Sequence, residues 1–252
     1  MTGKNKKKII IIIKINDFFF KLYDIKRLPL YNCMKNLNLL KKKYSDKYFL
    51  RNKFSYNSDS VDDKVLNLLK TNSIKAKNIL EIGCFNGTKL NHYSTICKSK
   101  KIYGVDISKK AIKDGKLRFR NLKLLNLSSI QIDKIKINFN LIICGFFLYK
   151  LDRELIFKQF DLIHKKLSNN GLLLIHDFDP LFKHSNKDIN SKELSIFKMS
   201  YDNFLVESGL FEVVSKLKYN WQSKDKRKFK SNNVSLTLFK KIDFKKKYPE
   251  NL

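Results

Sequence analysis

Two short runs hold the side chains whose types and spacing could do chemistry. The first is Glu81-Ile82-Gly83-Cys84-Phe85-Asn86-Gly87, an apolar run that ends beside an acid and passes into a glycine turn. Gly83 lets the backbone approach a ligand closely, and Gly87 lets the following helix start tight against the turn. Asp106 ends the next apolar run, Lys101-Ile102-Tyr103-Gly104-Val105, where its carboxylate can accept hydrogen bonds from two vicinal ribose hydroxyls. The second run is His176-Asp177-Phe178-Asp179-Pro180. There His176 could serve as a general base, oriented by Asp177 or Asp179. In the plainer reading of the same residues, the aspartates cap a loop and His176 packs within a sheet.

These runs need elements to position them. Asn78-Ile79-Leu80-Glu81-Ile82, Lys101 to Val105, Leu122 to Leu125, Phe139 to Cys144 and Leu172 to His176 read as buried strands. Helical patterns lie between them. One begins near Ser60, a candidate cap, and carries Val61, Val65, Leu66 and Leu69 as its stripe. Others run from Thr88 to about Cys97 and from Ser108 to Arg118. A further one is capped by Asp152, with Ile156, Phe160, Ile163 and Leu167 as its stripe and Lys165-Lys166 near its negative end. Glu193 to Ser208 reads as a helix, and Phe211 to Ser215 with Val234 to Phe239 as a closing antiparallel pair.

Near-continuous apolar strands separated by helices predict an α/β fold, doubly wound, with a mostly parallel seven-stranded sheet, helices on both faces and an antiparallel seventh strand. Ligands of such sheets bind beyond the carboxyl ends of the strands. The chain divides into a basic N-terminal extension (1–57), which could fold over the site as a helical lid or hang free, a central domain (58–242) and a basic tail (243–252).

The turn after the first strand, with its preceding acid and the acidic end of the second strand, resembles the pattern of class I S-adenosylmethionine-dependent methyltransferases. The resemblance covers residues 60–180 best. It implies that Gly83 and Gly87 line the methionine part of the cofactor, that Glu81 supports the turn, and that Asp106 holds the ribose. Cys84, Phe85, Ile107, Asn126 and Gly145 would complete the cofactor site, with Asn126 standing where relatives often carry an adenine-contacting aspartate. Phe85 departs from the pattern, because the family has its middle glycine there. Phe146 and Tyr149 could line the acceptor pocket. The strand and loop Leu141 to Glu154 and the turn Lys166 to Ile175 are also similar to bacterial members of the family. A nicotinamide dinucleotide site fits less well: Gly83 to Gly87 lacks the Gly-x-Gly-x-x-Gly spacing, and Glu81 would repel a pyrophosphate.

Composition bounds the partners. The 252 residues include 53 Lys and Arg against 23 Asp and Glu, a formal charge of +30. Abundant Lys, Ile and Asn beside only 8 Gly and 3 Pro point to drift toward AT-rich codons as the main source of that charge. The field still attracts anions. The predicted acceptor is a small-molecule or sugar-like compound methylated on oxygen or nitrogen. RNA is the alternative, gripped by the basic extension and by Lys224-Asp225-Lys226-Arg227-Lys228, with Tyr44, Tyr48, Phe49, Phe54 and Tyr56 stacking bases. A non-catalytic basic binding module on the same fold is a third reading. The cysteines, Cys33, Cys84, Cys97 and Cys144, form no Cys-x-x-Cys pair and do not group with the histidines at metal-ligand spacing, so a metal site is not expected. So few cysteines in a chain this long suit a reducing, cytoplasmic setting. The apolar run Ile9 to Phe20 is broken by Lys14, Asn16 and Asp17, short of the ~20 apolar residues that span a bilayer. It could still lie on a membrane surface.

Overall fold

A computed structural model describes residues 34–57, 63–220 and 233–244. The expectations for Ser60, Val61, Ile9 to Phe20, Cys33, the Lys224 to Lys228 run and most of the tail lie outside the described residues. So does the expectation for the Tyr56 side chain.

The predicted strands form. β1 (Asn78–Ile82), β2 (Lys101–Asp106), β3 (Lys123–Asn126), β4 (Phe139–Gly145) and β5 (Leu167–Phe178) pair in parallel in the order β3-β2-β1-β4-β5. Two further strands, β8 (Phe211–Asn220) and β9 (Asn233–Lys241), extend the sheet, with β9 antiparallel to both β5 and β8. The result is the expected seven-stranded, mostly parallel sheet. Its strand order reverses between β1 and β4, which opens a crevice at their carboxyl ends. The central strands are buried on both sides. Leu80, Ile82, Ile142 and Leu173 face one core, while Ile79, Leu141, Ile143 and Leu174 face the other. That two-sided burial is why their sequence reads as apolar runs without alternation.

The crossover helices are α3 (Lys64–Thr71), α4 (Thr88–Ile96), α5 (Lys109–Arg118) and α6 (Ile156–Lys166), followed later by α7 (Asp202–Glu207). Asp63 caps α3, its carboxylate accepting from the backbone N–H groups of Val65 and Leu66. Gly209, at φ 70°, closes α7 in the left-handed conformation.

Two expectations are corrected. The helix expected over Glu193 to Ser208 is divided, and its first part is a strand. β6 (His184–Asp188) and β7 (Ser191–Lys198) form an antiparallel hairpin, and only Asp202–Glu207 is helical. The hairpin turn is fixed by Asp188, whose carboxylate accepts from Asn190 N–H at 2.8 Å. Its free edge is satisfied by the side-chain amide of Asn36, which donates to Ser195 O (2.6 Å) and accepts from Ser195 N–H (3.2 Å). A residue far away in sequence thus supplies the pairing that holds Ser195 extended.

The second correction concerns Asp152. Its side chain makes no capping bond to the helix that follows it. Both carboxylate oxygens instead accept from α1 (Lys35–Leu39), at 2.9 Å from Asn36 N and 2.9 Å from Leu37 N. The N-terminal residues continue through a π-helical turn (Leu40–Tyr44) into α2 (Ser45–Asn57). Two side chains anchor this segment in the core: Leu37, and Phe49 against Phe85 and Ala111. Among the described residues no helix is long and apolar enough to cross a membrane.

Candidate active site

The turn after β1 has the backbone that its sequence demands. Gly83 (φ 77°) and Gly87 (φ 82°) both occupy the left-handed region. A Cβ on Gly83 would lie 3.2 Å from Phe147 Cβ, and one on Gly87 would lie 3.0 Å from Leu122 Cδ1. Either position is costly for any residue but glycine. Phe85, where the family pattern has a glycine, also sits at a positive φ of 56°. Strain of this kind is on the order of 1–3 kcal/mol, and it persists only where packing over-determines it. The ring of Phe85 is buried against Phe49, at 5.0 Å between centroids, and edge-on to Tyr48 at 6.2 Å. The departure from glycine is therefore tied to α2, which lies over the turn and supplies those rings.

Asp106 ends β2 with its carboxylate accepting from Phe85 N–H (2.9 Å) and Ser108 N–H (2.8 Å). Each oxygen keeps accepting capacity. Burial pushes the Asp106 carboxyl up to about 6, against the opposing pull of these backbone donors. Ser108 caps α5 and donates to Asp46 of α2 at 2.6 Å, so the N-terminal segment is tied to this corner too.

Glu81 is wholly buried, and burial raises its carboxyl to about 8, with Lys89 opposing the shift. Its Oε2 has no hydrogen-bond partner among the described residues. A buried carboxylate oxygen without a partner carries a desolvation cost that a cationic or N–H-bearing ligand group would relieve.

One cavity joins these groups. Its lining includes Glu81, Gly83, Cys84, Phe85, Asp106, Ile107, Gly145, Phe146 and His176, so nine of the sequence-predicted residues converge on it. Gly87, Asn126, Tyr149, Asp177 and Asp179 are not part of the lining. Asn126 is exposed and donates its amide to Asp106 O at 2.9 Å, while Leu127, Ser128 and Ser129 face the cavity beyond it. Gly87 instead starts α4.

The expected orientation of His176 by an aspartate is corrected. Asp177 points away, accepting from Phe178 N–H (2.7 Å) and Tyr149 N–H (3.3 Å), and burial lifts its carboxyl to about 7. Asp179 is paired with Lys216 (2.9 Å) and Lys218 (3.2 Å). Successive residues of a strand face opposite sides of the sheet, so Asp177 cannot share a face with His176. The partner of His176 is Tyr219 of β8, whose hydroxyl meets Nε2, while Phe146 packs on the imidazole at 4.4 Å between centroids. Burial, assisted by Lys89, lowers His176 to about 4, so the imidazole is neutral at pH 7.

Sequence reasoning offered a possible lid from the N-terminal extension but did not assign its residues, nor Phe147, Lys150 and Leu151, to the pocket. Leu37, Leu40, Tyr44 and Tyr48 from the N-terminal helices line the cavity, joined by Phe147, Lys150 and Leu151 from the loop after β4. Tyr44 and Tyr48 thus face the cavity, Phe49 is buried, and of the candidate base-stacking aromatics Phe54 is left exposed. The proximity of Lys150 to Phe146 in sequence was the available signal for its place in the pocket.

Residues 73–233 match a family model described as a methyltransferase domain. An uncharacterized protein of Rickettsia prowazekii is 28% identical over 107 residues, 40% of this chain and 43% of its own length. The chain therefore spans under half of that curated relative. The fold is shared with a Burkholderia thailandensis 1,6-didemethyltoxoflavin-N1-methyltransferase bound to S-adenosylhomocysteine (TM-score 0.65, 11% identity, 86% of this chain and 93% of that one). It is also shared with the N-methyltransferase NodS of Bradyrhizobium japonicum in complex with S-adenosylhomocysteine (TM-score 0.53, 18% identity, 79% and 99%). The residues present suit that cofactor: an unpartnered buried carboxylate for a cationic amine, a side-chain-free turn for close approach, and an acid at the end of β2 for hydroxyls. With the family model matching well over half of its length, the chain belongs to the methyltransferase domain family.

Proposed function

We propose that the chain methylates an oxygen or nitrogen atom of a small-molecule acceptor, with a sugar-like compound within that class. The observation that carries this reading is the continuity of the cavity. The cofactor corner at Glu81, Gly83 and Asp106 continues without a break to Phe146, Lys150 and His176, under Leu37, Leu40, Tyr44 and Tyr48. A single pocket lined by both helices and sheet suits a compact acceptor better than a nucleic-acid strand lying across a surface.

In this reading Asp106 holds the ribose hydroxyls, Glu81 faces the amine of the methionine part, and Gly83 and Ile107 shape the floor. S-adenosylmethionine, when bound, supplies an already activated methyl group. The chain then contributes mostly positioning and exclusion of water, which can account for a large share of such a rate enhancement. Residues 34–57 act as the cover, held at Asp152 and Asp46. His176, neutral and with Nε2 meeting the Tyr219 hydroxyl, is the candidate base of this reading for an O–H or N–H acceptor.

The test is transfer of labelled methyl from S-adenosylmethionine in the presence of sugars, small organic acids and RNA, supplied separately. Label in a small-molecule fraction supports the reading. Label confined to RNA overturns it.

A further inference from the structure

Lys150 is an unusual group to find in this wall. Its side chain is only 12% exposed, and it lies over three aromatic rings: Tyr48 at 4.4 Å, Tyr149 at 5.2 Å and Tyr44 at 5.3 Å from ammonium nitrogen to ring centroid. Its nearest carboxylate, Asp188 Oδ2, is 3.9 Å away, beyond hydrogen-bond distance. Asp188 already accepts from the Tyr44 hydroxyl (2.5 Å) and from Asn190 N–H (2.8 Å). Among the described residues no acceptor takes a hydrogen bond from Lys150 Nζ. Ring faces can hold a cation, but they give its three N–H donors no directed acceptor.

A purely structural lysine here would be expected to close onto Asp188. Instead the ion pair with Asp188 stays loose, at 3.9 Å, and the ammonium lines the cavity, where a closer oxyanion would bind it strongly. Arg51 adds positive charge on the same side, lying 5.4 Å over the Tyr48 ring. The lining also includes the apolar Leu37, Leu40, Phe146, Phe147 and Leu151, while its acids, Glu81 and Asp106, belong to the cofactor corner.

We propose that Lys150 is the acceptor-binding residue and that the acceptor is a small acid with an apolar, ring-sized body, its anionic oxygen taking the free donors of Lys150. The N-terminal helices, the loop after β4 and the β6–β7 hairpin each contribute to this subsite, through Tyr44 and Tyr48, Lys150, and Asp188. The proposal rests on the methyltransfer reading for its role in catalysis, but its binding chemistry is testable separately.

The experiment is a calorimetric titration of the full chain, with and without saturating S-adenosylhomocysteine, using benzoate, benzamide and benzylamine as probes. Benzoate is expected to bind at least ~10-fold more tightly than benzamide, as one charge-assisted hydrogen bond commonly supplies, with benzylamine weakest. Lys150→Met is expected to lose benzoate affinity at least ~10-fold while S-adenosylhomocysteine affinity stays within about twofold. Lys150→Arg is expected to keep the preference for benzoate over benzamide, and it serves as the variant if Lys150→Met does not fold. Equal affinity for benzoate and benzamide, unaltered benzoate binding in Lys150→Met, or no benzoate binding at millimolar concentration would each overturn the proposal. Failure of S-adenosylhomocysteine to bind while benzoate still prefers the wild-type chain would count against the cofactor assignment and leave the acid subsite standing.

Discussion

The two ends of the cavity are built on different principles. At the proposed cofactor end, Glu81, Gly83 and Asp106 come from two adjacent strands and the turn between strand and helix, so their placement is set by local sequence and one parallel pairing, with only Phe85 leaning on α2. At the proposed acceptor end, Tyr44, Lys150 and His176, with Asp188 behind Tyr44 and Lys150, come from four separate stretches that meet only when the N-terminal helices, the β4 loop, β5 and the hairpin are all assembled. The first end is a motif, whereas the second is a convergence. A site end built from one strand–turn–helix unit is thus held by local backbone constraints, whereas one built from separate segments depends on the whole tertiary fold.

Substitutions can break this contrast, and the largest effect belongs to the glycine turn. Gly83→Val adds a branched side chain at φ 77° into the space beside Phe147, and is expected to abolish measurable cofactor binding in a chain that stays folded by circular dichroism. Normal affinity would show that the turn is not the site.

Asp106→Ala comes next. Charge-assisted hydrogen bonds are worth roughly 1.5–3 kcal/mol each, so losing them should weaken binding at least ~30-fold by calorimetry. A smaller effect would remove the ribose assignment.

Glu81 sharpens the picture through pH. Its carboxyl is raised to about 8, so in the free chain it is protonated below that value. An incoming cation favours the carboxylate, so cofactor affinity should rise with pH from 6 to 8 by up to about tenfold per unit. Glu81→Gln should flatten that dependence, and an unchanged slope would exclude Glu81 as its source. The same raised value means that the folded chain binds the extra proton between the ordinary carboxylate range and pH 8. Without ligand, the stability contributed by Glu81 therefore falls as pH rises through that window.

The smallest effect on the cofactor end is expected from Asp152→Ala, which removes the acceptor for two N–H groups of α1. Hydrogen exchange should speed up across residues 35–54 while β1, β2 and β4 keep their protection, and cofactor affinity should change by only a few-fold. Uniform loss of protection would show that the cover and the sheet are one cooperative unit.

The contrast also explains what was legible in the sequence. The apolar runs of β1, β2 and β4 and the glycine turn announce themselves because burial on both faces and a left-handed backbone constrain residue type directly. The hairpin at His184 to Lys198 was hidden because Ser195 is held extended by the amide of Asn36, a contact invisible to periodicity. Asp152 looked like a cap for its own helix because a carboxylate before an apolar stripe is the ordinary sign of one, yet it serves a helix far earlier in the chain. Phe85 read as a departure from the family pattern; the rings that hold it in a glycine conformation belong to α2. His176 was visible as a candidate, whereas its true partner, Tyr219, was not, because the pairing of β8 with β9 and of β9 with β5 sets it there.

The most direct test of the central claim is calorimetric titration of the unaltered chain with S-adenosylmethionine, S-adenosylhomocysteine and, as a competitor of different chemistry, NAD. A site built from Glu81, Gly83 and Asp106 predicts micromolar binding of the two sulfur compounds and none of the dinucleotide, whose pyrophosphate finds no Gly-x-Gly-x-x-Gly turn at Gly83 to Gly87. Absence of binding by either sulfur compound at millimolar concentration, or NAD binding as tightly as they do, would contradict it.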